Sequence, residues 1–201
     1  MKKSIYSFFL LMALFSCSGP KELSPIDYYK WVEDFGNGLH KEHQIGDLLF
    51  DVQFEPTDFV ICKSGLLNDL RSIQELDSIR KNYDSSVYIT VTLKDVAGRD
   101  PLLHDINGDA QTALYYFQYK FQKDIYIISE DRKTKVFPVL FHFERFYTVN
   151  NCRVFLLAFD KKDIPMDKDI SLSIDSDYLT SGMVQFYFSD KIIASQPKIK
   201  I

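Results

Sequence analysis

Polar and apolar positions alternate along this chain with several distinct periods. Ile5 through Phe15 is a mostly apolar run of eleven residues. From Ser24 onward the spacing becomes helical, with Ile26, Tyr29, Val32 and Phe35 on one face. Ser24 suits the cap, Pro25 the first turn and Gly36 the stop, which predicts a short helix. His40–Ile45, a Gly46-Asp47 turn and Leu48–Phe54 predict a β-hairpin, because Phe50, Val52 and Phe54 alternate with Asp51, Gln53 and Glu55. Pro56 closes it. Beyond Leu66 the period changes again: Leu66, Leu67, Leu70, Ile73, Leu76 and Ile79 share a face, and the pattern predicts a helix beginning there.

Residues 86–94 alternate strictly, with Val87, Ile89, Val91 and Leu93 against Tyr88, Thr90 and Thr92, the mark of a half-buried strand. Residues 109–123 fit both periods, and the reading adopted is helix to about Tyr119, then strand through Ile128. Glu130–Lys135 reads as a charged turn. Val136–Arg145, Arg153–Asp160, Ile170–Asp175 and Met183–Ser189 follow as strands, with Pro138 restricted to an edge or a bulge. Six or more strands on short connections, with two or three packed helices, predict an α+β fold. It is a single globular domain over residues 25–201, mainly an antiparallel β-sheet.

The apolar run at the start is too short to cross a bilayer as a helix, which takes about 20 residues. With Lys2 and Lys3 before it, residues 1–16 read as a cleaved export signal. The run ends in Leu14-Phe15-Ser16-Cys17, which resembles the lipobox of bacterial lipoproteins. Phe15 departs from the small residue usual at its position. The resemblance implies cleavage before Cys17 and lipidation of that cysteine, so Cys17 is the predicted lipidation site. Several acyl chains hold firmly at about 0.8 kcal/mol per buried methylene. Residues 17–24 then form a tether that carries Pro20 and runs up to Pro25. Ser18 in place of aspartate implies an outer-membrane destination, and Lys21-Glu22 faintly resembles a surface-export tag, so the periplasmic and surface sides both stay open.

Asn37-Gly38-Leu39, Ile45-Gly46-Asp47 and Leu140-Phe141-His142-Phe143-Glu144-Arg145 resemble uncharacterised lipoproteins of Bacteroidota. That resemblance implies a phylum and brings no activity with it.

Removing residues 1–16 takes away two lysines and moves the formal charge from −4 to −6. The remaining lysines are scattered among acids, as in Asp160-Lys161-Lys162-Asp163, which argues against nucleic acid and against electrostatic attachment to anionic lipid. Besides Cys17 there are Cys62 and Cys152, each beside an apolar run. Two readings stand for them: a disulfide permitted by an oxidising envelope, or two buried thiols acting as small hydrophobes.

Catalytic motifs are absent: the chain has no Gly-x-Ser-x-Gly, no Walker loop, no Cys-x-x-Cys and no His-Glu-x-x-His. Asp105-Ile106-Asn107-Gly108-Asp109 fails as a calcium loop, since glycine is fourth rather than sixth, and reads as a turn into a helix capped by Asp109. His40 and His43 fall on opposite faces of a strand and make no zinc pair. No metal and no cofactor is expected.

The densest polar cluster in an apolar strand is His142, Glu144 and Arg145. His142 and Glu144 share a face there, as an oriented acid and base or as a structural buried pair. The structural reading predicts that His142→Ala and Glu144→Gln lower the melting temperature. Two functions follow as expectations. The first is a membrane-anchored, non-catalytic binding or assembly module of the bacterial envelope, with a protein or glycan partner. The second is an envelope hydrolase built from scattered residues around His142, Glu144 and Cys62.

Overall fold

The computed structural model describes residues 22–69, 72–101, 110–128, 134–144, 151–180 and 182–200. Cys17, Lys21, Arg145 and the Asp105–Asp109 turn lie outside them. A two-residue strand β1 (Glu22–Leu23) leads into helix α1 (Pro25–Glu33). Ser24 Oγ accepts from the Asp27 amide at 3.2 Å and Pro25 takes the first turn, so the start of α1 follows its capping signal. Asp34 opens a 3-10 turn over Phe35–Asn37, and Gly38, at φ 75°, ends it in the left-handed region that a side chain would strain. The predicted face of α1 is off by part of a turn. Tyr28 and Val32 are fully buried, whereas Ile26 and Phe35 are 68 % and 51 % exposed.

Strands β2 (His40–Ile45) and β3 (Leu48–Glu55) form the expected hairpin, with His40 opposite Gln53 and Ile45 opposite Leu48. Pro56 then turns the chain into helix α2 (Thr57–Lys63), which occupies the run Phe59-Val60-Ile61-Cys62. The helix predicted from Leu66 is a short 3-10 turn, Leu66–Asp69, followed by helix α3 (Ile73–Tyr83). Ser72 sets that start, its Oγ accepting from the Glu75 amide at 3.3 Å. Leu66 and Ile73 are exposed and, among the described residues of that face, only Leu76 is fully buried, so the apolar spacing overstated the helix.

Strand β4 (Ser86–Asp95) matches the strict alternation. Helix α4 (Ala110–Tyr119), a 3-10 turn at Phe121–Lys123 and strand β5 (Ile125–Ile128) bear out the helix-then-strand reading. The single strand expected over Val136–Arg145 is instead two: β6 (Lys135–Val136) pairs with β5, and β7 (Leu140–Glu144) pairs with β8 (Cys152–Asp160). Pro138, which has no amide hydrogen to give a ladder, stands where the chain changes sheets. Strands β9 (Ile170–Ile174) and β10 (Val184–Phe188), helix α5 (Asp190–Ala194) and strand β11 (Lys198–Ile199) complete the chain.

The strands form a five-stranded sheet in the order β2-β3-β4-β8-β7, a four-stranded sheet β10-β9-β5-β6, and a parallel pair β1-β11. Both larger sheets are antiparallel throughout. Among the described residues, three helices of nine or more residues, α1, α3 and α4, and two shorter ones accompany them. The fold is the expected antiparallel α+β class. A single apolar cluster draws on both sheets, with Phe54 of β3 meeting Phe188 of β10 at 5.6 Å between ring centroids. Phe117 and Phe121 seal one side by packing edge-on to each other and against Phe155, whose ring lies 4.8 Å from that of Phe121.

Candidate functional site

Alternation on β3 sends Phe50, Val52 and Phe54 into the core and Asp51, Gln53 and Glu55 to the other face. That second face is not left to solvent. Gln53 and Glu55 are 8 % and 7 % exposed, and the Gln53 amide group donates to the carbonyls of Val32, Leu39 and Phe54. Burying such groups is tolerable only when they are hydrogen-bonded, and the partners of Glu55 define the principal site.

Glu55 ends β3 at a cleft of about 420 Å³, whose apolar lining comes from Phe54, Val87, Met166, Ile193 and Pro197. Its Oε1 accepts from Lys63 Nζ and from Thr90 Oγ1, both at 2.6 Å. Asp58, in the first turn of α2, takes a two-pronged contact from Arg80 near the end of α3: Nε to Oδ1 and Nη2 to Oδ2, each 2.6 Å. Arg80 Nη1 also donates to Asp77 at 2.8 Å. The Asp58 hydrogen bonds outweigh partial burial and hold the guanidinium more firmly charged than usual. Across the cleft Lys161 donates to Asp84 at 2.8 Å. Each acidic side chain lining the cleft therefore already has a cationic partner.

A second polar centre sits where α1 meets the hairpin. His40 Nδ1 lies 2.9 Å from the Glu33 carbonyl and Nε2 lies 2.6 Å from Asp51 Oδ1, while the Phe35 ring stacks on the imidazole at 3.9 Å between centroids. Lys94 donates to the other oxygen of Asp51 at 2.5 Å, and Glu42 stands 4.0 Å from the same ammonium. Burial pulls the imidazole down, but the bonds to Asp51 and Glu33 and the charges of Asp51 and Glu42 leave it above its ordinary value. For Asp51 burial acts upward, and the bonds and charges of His40 and Lys94 bring it below the usual carboxylate range. With both ring nitrogens engaged, His40 has no lone pair to offer a nucleophile or a metal. His43 lies opposite Phe50, on the other face of β2, as the hairpin requires.

A third cluster surrounds Tyr116, whose hydroxyl donates to Asp124 at 2.5 Å and contacts the buried Ser176. Its ring stacks on Tyr178 at 4.3 Å. Burial first, then the Asp124 hydrogen bond, push this phenol well above its ordinary value and keep it neutral.

The residues expected from sequence to carry chemistry are not assembled. On β7, His142 is exposed and Glu144 half-buried on one face, while Phe143 between them points into the core. Neither lines the cleft or a smaller cavity of about 230 Å³ beside β5, β6 and β9. Neither makes an ion pair with another described residue. Cys62 lies on α2, which packs on α1, α3 and β4, whereas β7 is the edge strand two places beyond β4. Burial first, with the nearby Asp58 charge, pushes the Cys62 thiol up to about 11, which makes it a poor nucleophile. No disulfide joins Cys62 to Cys152. Among the described residues no group of three His, Cys, Asp or Glu side chains is placed to hold a metal ion.

Sequence reading missed the cleft because its ion pairs join residues 8, 22 and 77 positions apart. His40 and Asp51 were within reach, since a two-residue turn at Gly46-Asp47 fixes their register. Scanned against protein-family models, curated proteins and solved structures, the chain matches none.

Proposed function

We propose that this chain is a lipid-anchored module of the bacterial cell envelope that binds a protein or glycan partner at the cleft and does not transform it. The reading of the anchor rests on Leu14-Phe15-Ser16-Cys17 behind a short apolar run, with an outer membrane as its destination. No described helix is long and apolar enough to cross a membrane. Binding is favoured by one observation: Glu55, Asp58 and Asp84 are each held by a cation. General acid–base catalysis needs a carboxylate within hydrogen-bond reach of the proton it moves, and each of these already spends an oxygen on a cation. The same pairs give the cleft a rigid polar rim beside an apolar lining, which suits recognition.

The anchor is tested by metabolic labelling with a fatty-acid probe. Wild-type protein should take up label and stay with washed membranes, and Cys17→Ser should lose the label and be released. Undiminished label on the variant defeats the reading. Binding is tested with a photo-crosslinking residue at Lys198, on the cleft rim, and a control at Gly46, at the far end of β3. Products specific to Lys198 support a cleft partner, and identical patterns from both positions remove it.

A further inference from the structure

The two ends of the described chain meet at the cleft. β1 and β11 pair in parallel, Glu22 opposite Lys198 and Leu23 opposite Ile199, and the Lys200 amide donates to the Leu23 carbonyl at 2.8 Å. Tyr28, fully buried on α1, donates from its hydroxyl to Gln196 at 3.0 Å and ties the first helix to the same carboxyl-terminal segment. Gln196 and Lys198 both line the cleft. The tether therefore enters the domain within one strand spacing of the cleft rim, about 5 Å.

Resting on the lipoprotein reading above, we infer that the β1–β11 clasp and the cleft beside it face the bilayer that holds Cys17, so the cleft is a membrane-proximal binding surface. Length decides this. Cys17 and Glu22 are five residues apart, and five residues reach at most about 18 Å in any conformation. A domain of this size is about 40 Å across by its expected radius of gyration, so such a tether cannot carry its own attachment point to the far side. Ile26, 68 % exposed in the first turn of α1, places an apolar side chain at the start of the domain. The hairpin turn Gly46-Asp47 lies at the opposite end of β3 from Glu55, and eight strand residues separate the two ends by about 26 Å.

The test uses the acylated full chain in lipid nanodiscs containing a phosphatidylcholine with a nitroxide on its headgroup. Paramagnetic relaxation of backbone amides falls with the sixth power of distance, so over the about 26 Å length of β3 the amides of Glu22, Leu23, Ser24, Ile26, Gln196, Lys198, Ile199 and Lys200 should relax more than tenfold faster than those of Gly46 and Asp47. A twenty-residue Gly-Ser insertion after Ser18 should flatten the gradient. Uniform or reversed relaxation in protein that carries the acyl label overturns the orientation and leaves the anchor standing. Protein that takes no label overturns the anchor and the orientation with it.

Discussion

The Nε2 atom of His40 lies 2.6 Å from Oδ1 of Asp51, and the opposite ring nitrogen lies 2.9 Å from a backbone carbonyl. Both partners are acceptors, so the imidazole satisfies them together only when it carries two protons. The protonated form thereby joins the end of α1 to the hairpin.

Stability should follow that charge. His40 is raised above 6.5, so its contribution is fully present below that pH and is lost as pH rises through the folded value. Asp51 is lowered below 3.8, so its contribution is present above that pH and is lost as pH falls through the folded value. The two together place the optimum between about pH 4 and 6.5. His40→Gln should cost about 1–2 kcal/mol at pH 5 and progressively less at pH 8 and above. Urea unfolding at both pH values, with an NMR titration of the ring, checks this. A ring midpoint below 6.5 would contradict the assignment.

The exposed pair on β7 should be nearly silent. His142 is exposed and Glu144 half-buried, and neither has an ionic partner among the described residues, so the buried pair expected from sequence is not formed. His142→Ala and Glu144→Gln should each change stability by no more than about 0.5 kcal/mol. Phe143→Ala is the contrast: its ring stacks on Phe155 at 5.1 Å, and its loss should cost about 3–5 kcal/mol. Thermal melts of the three variants separate the two cases. A marked drop for Glu144→Gln would restore the structural reading.

Local period explains what was legible. In β3 and β4 one face meets the core along the whole strand, and a period of two survives intact into structure. The switch at Tyr119 was readable because the apolar spacing changes within a few residues. Around Leu66 and Ile73 apolar residues recur at helical spacing without being buried, so pattern and burial part company there, and the capping Ser72 is the truer marker. In α2 the run Phe59-Val60-Ile61-Cys62 favours a strand by composition. Pro56 and the acidic Asp58 in the first turn were the overlooked signs of a helix start. Cleft assembly had no local sign, because Asp58 and Arg80 meet only after α2 and α3 have packed.

That meeting supplies the last prediction. Asp58 and Arg80 have side chains 14 % and 26 % exposed and share two hydrogen bonds of 2.6 Å. Asp58→Asn keeps the shape but leaves Arg80 with Asp77 alone, on the solvent side. Full burial would put the cost of breaking such a pair at about 3–5 kcal/mol, and residual solvent at Arg80 reduces it, so about 2 kcal/mol is expected. Arg80→Met removes the opposite partner and strands a carboxylate that is less exposed than the guanidinium, so it should cost at least as much. The double variant Asp58→Asn, Arg80→Met leaves neither group uncompensated and should recover part of the loss, giving a coupling of about 1 kcal/mol or more. Urea unfolding of the four proteins at pH 7 closes the cycle. Strictly additive losses would show that the pair does not hold α2 to α3, and the rim of the cleft would then need another source of rigidity.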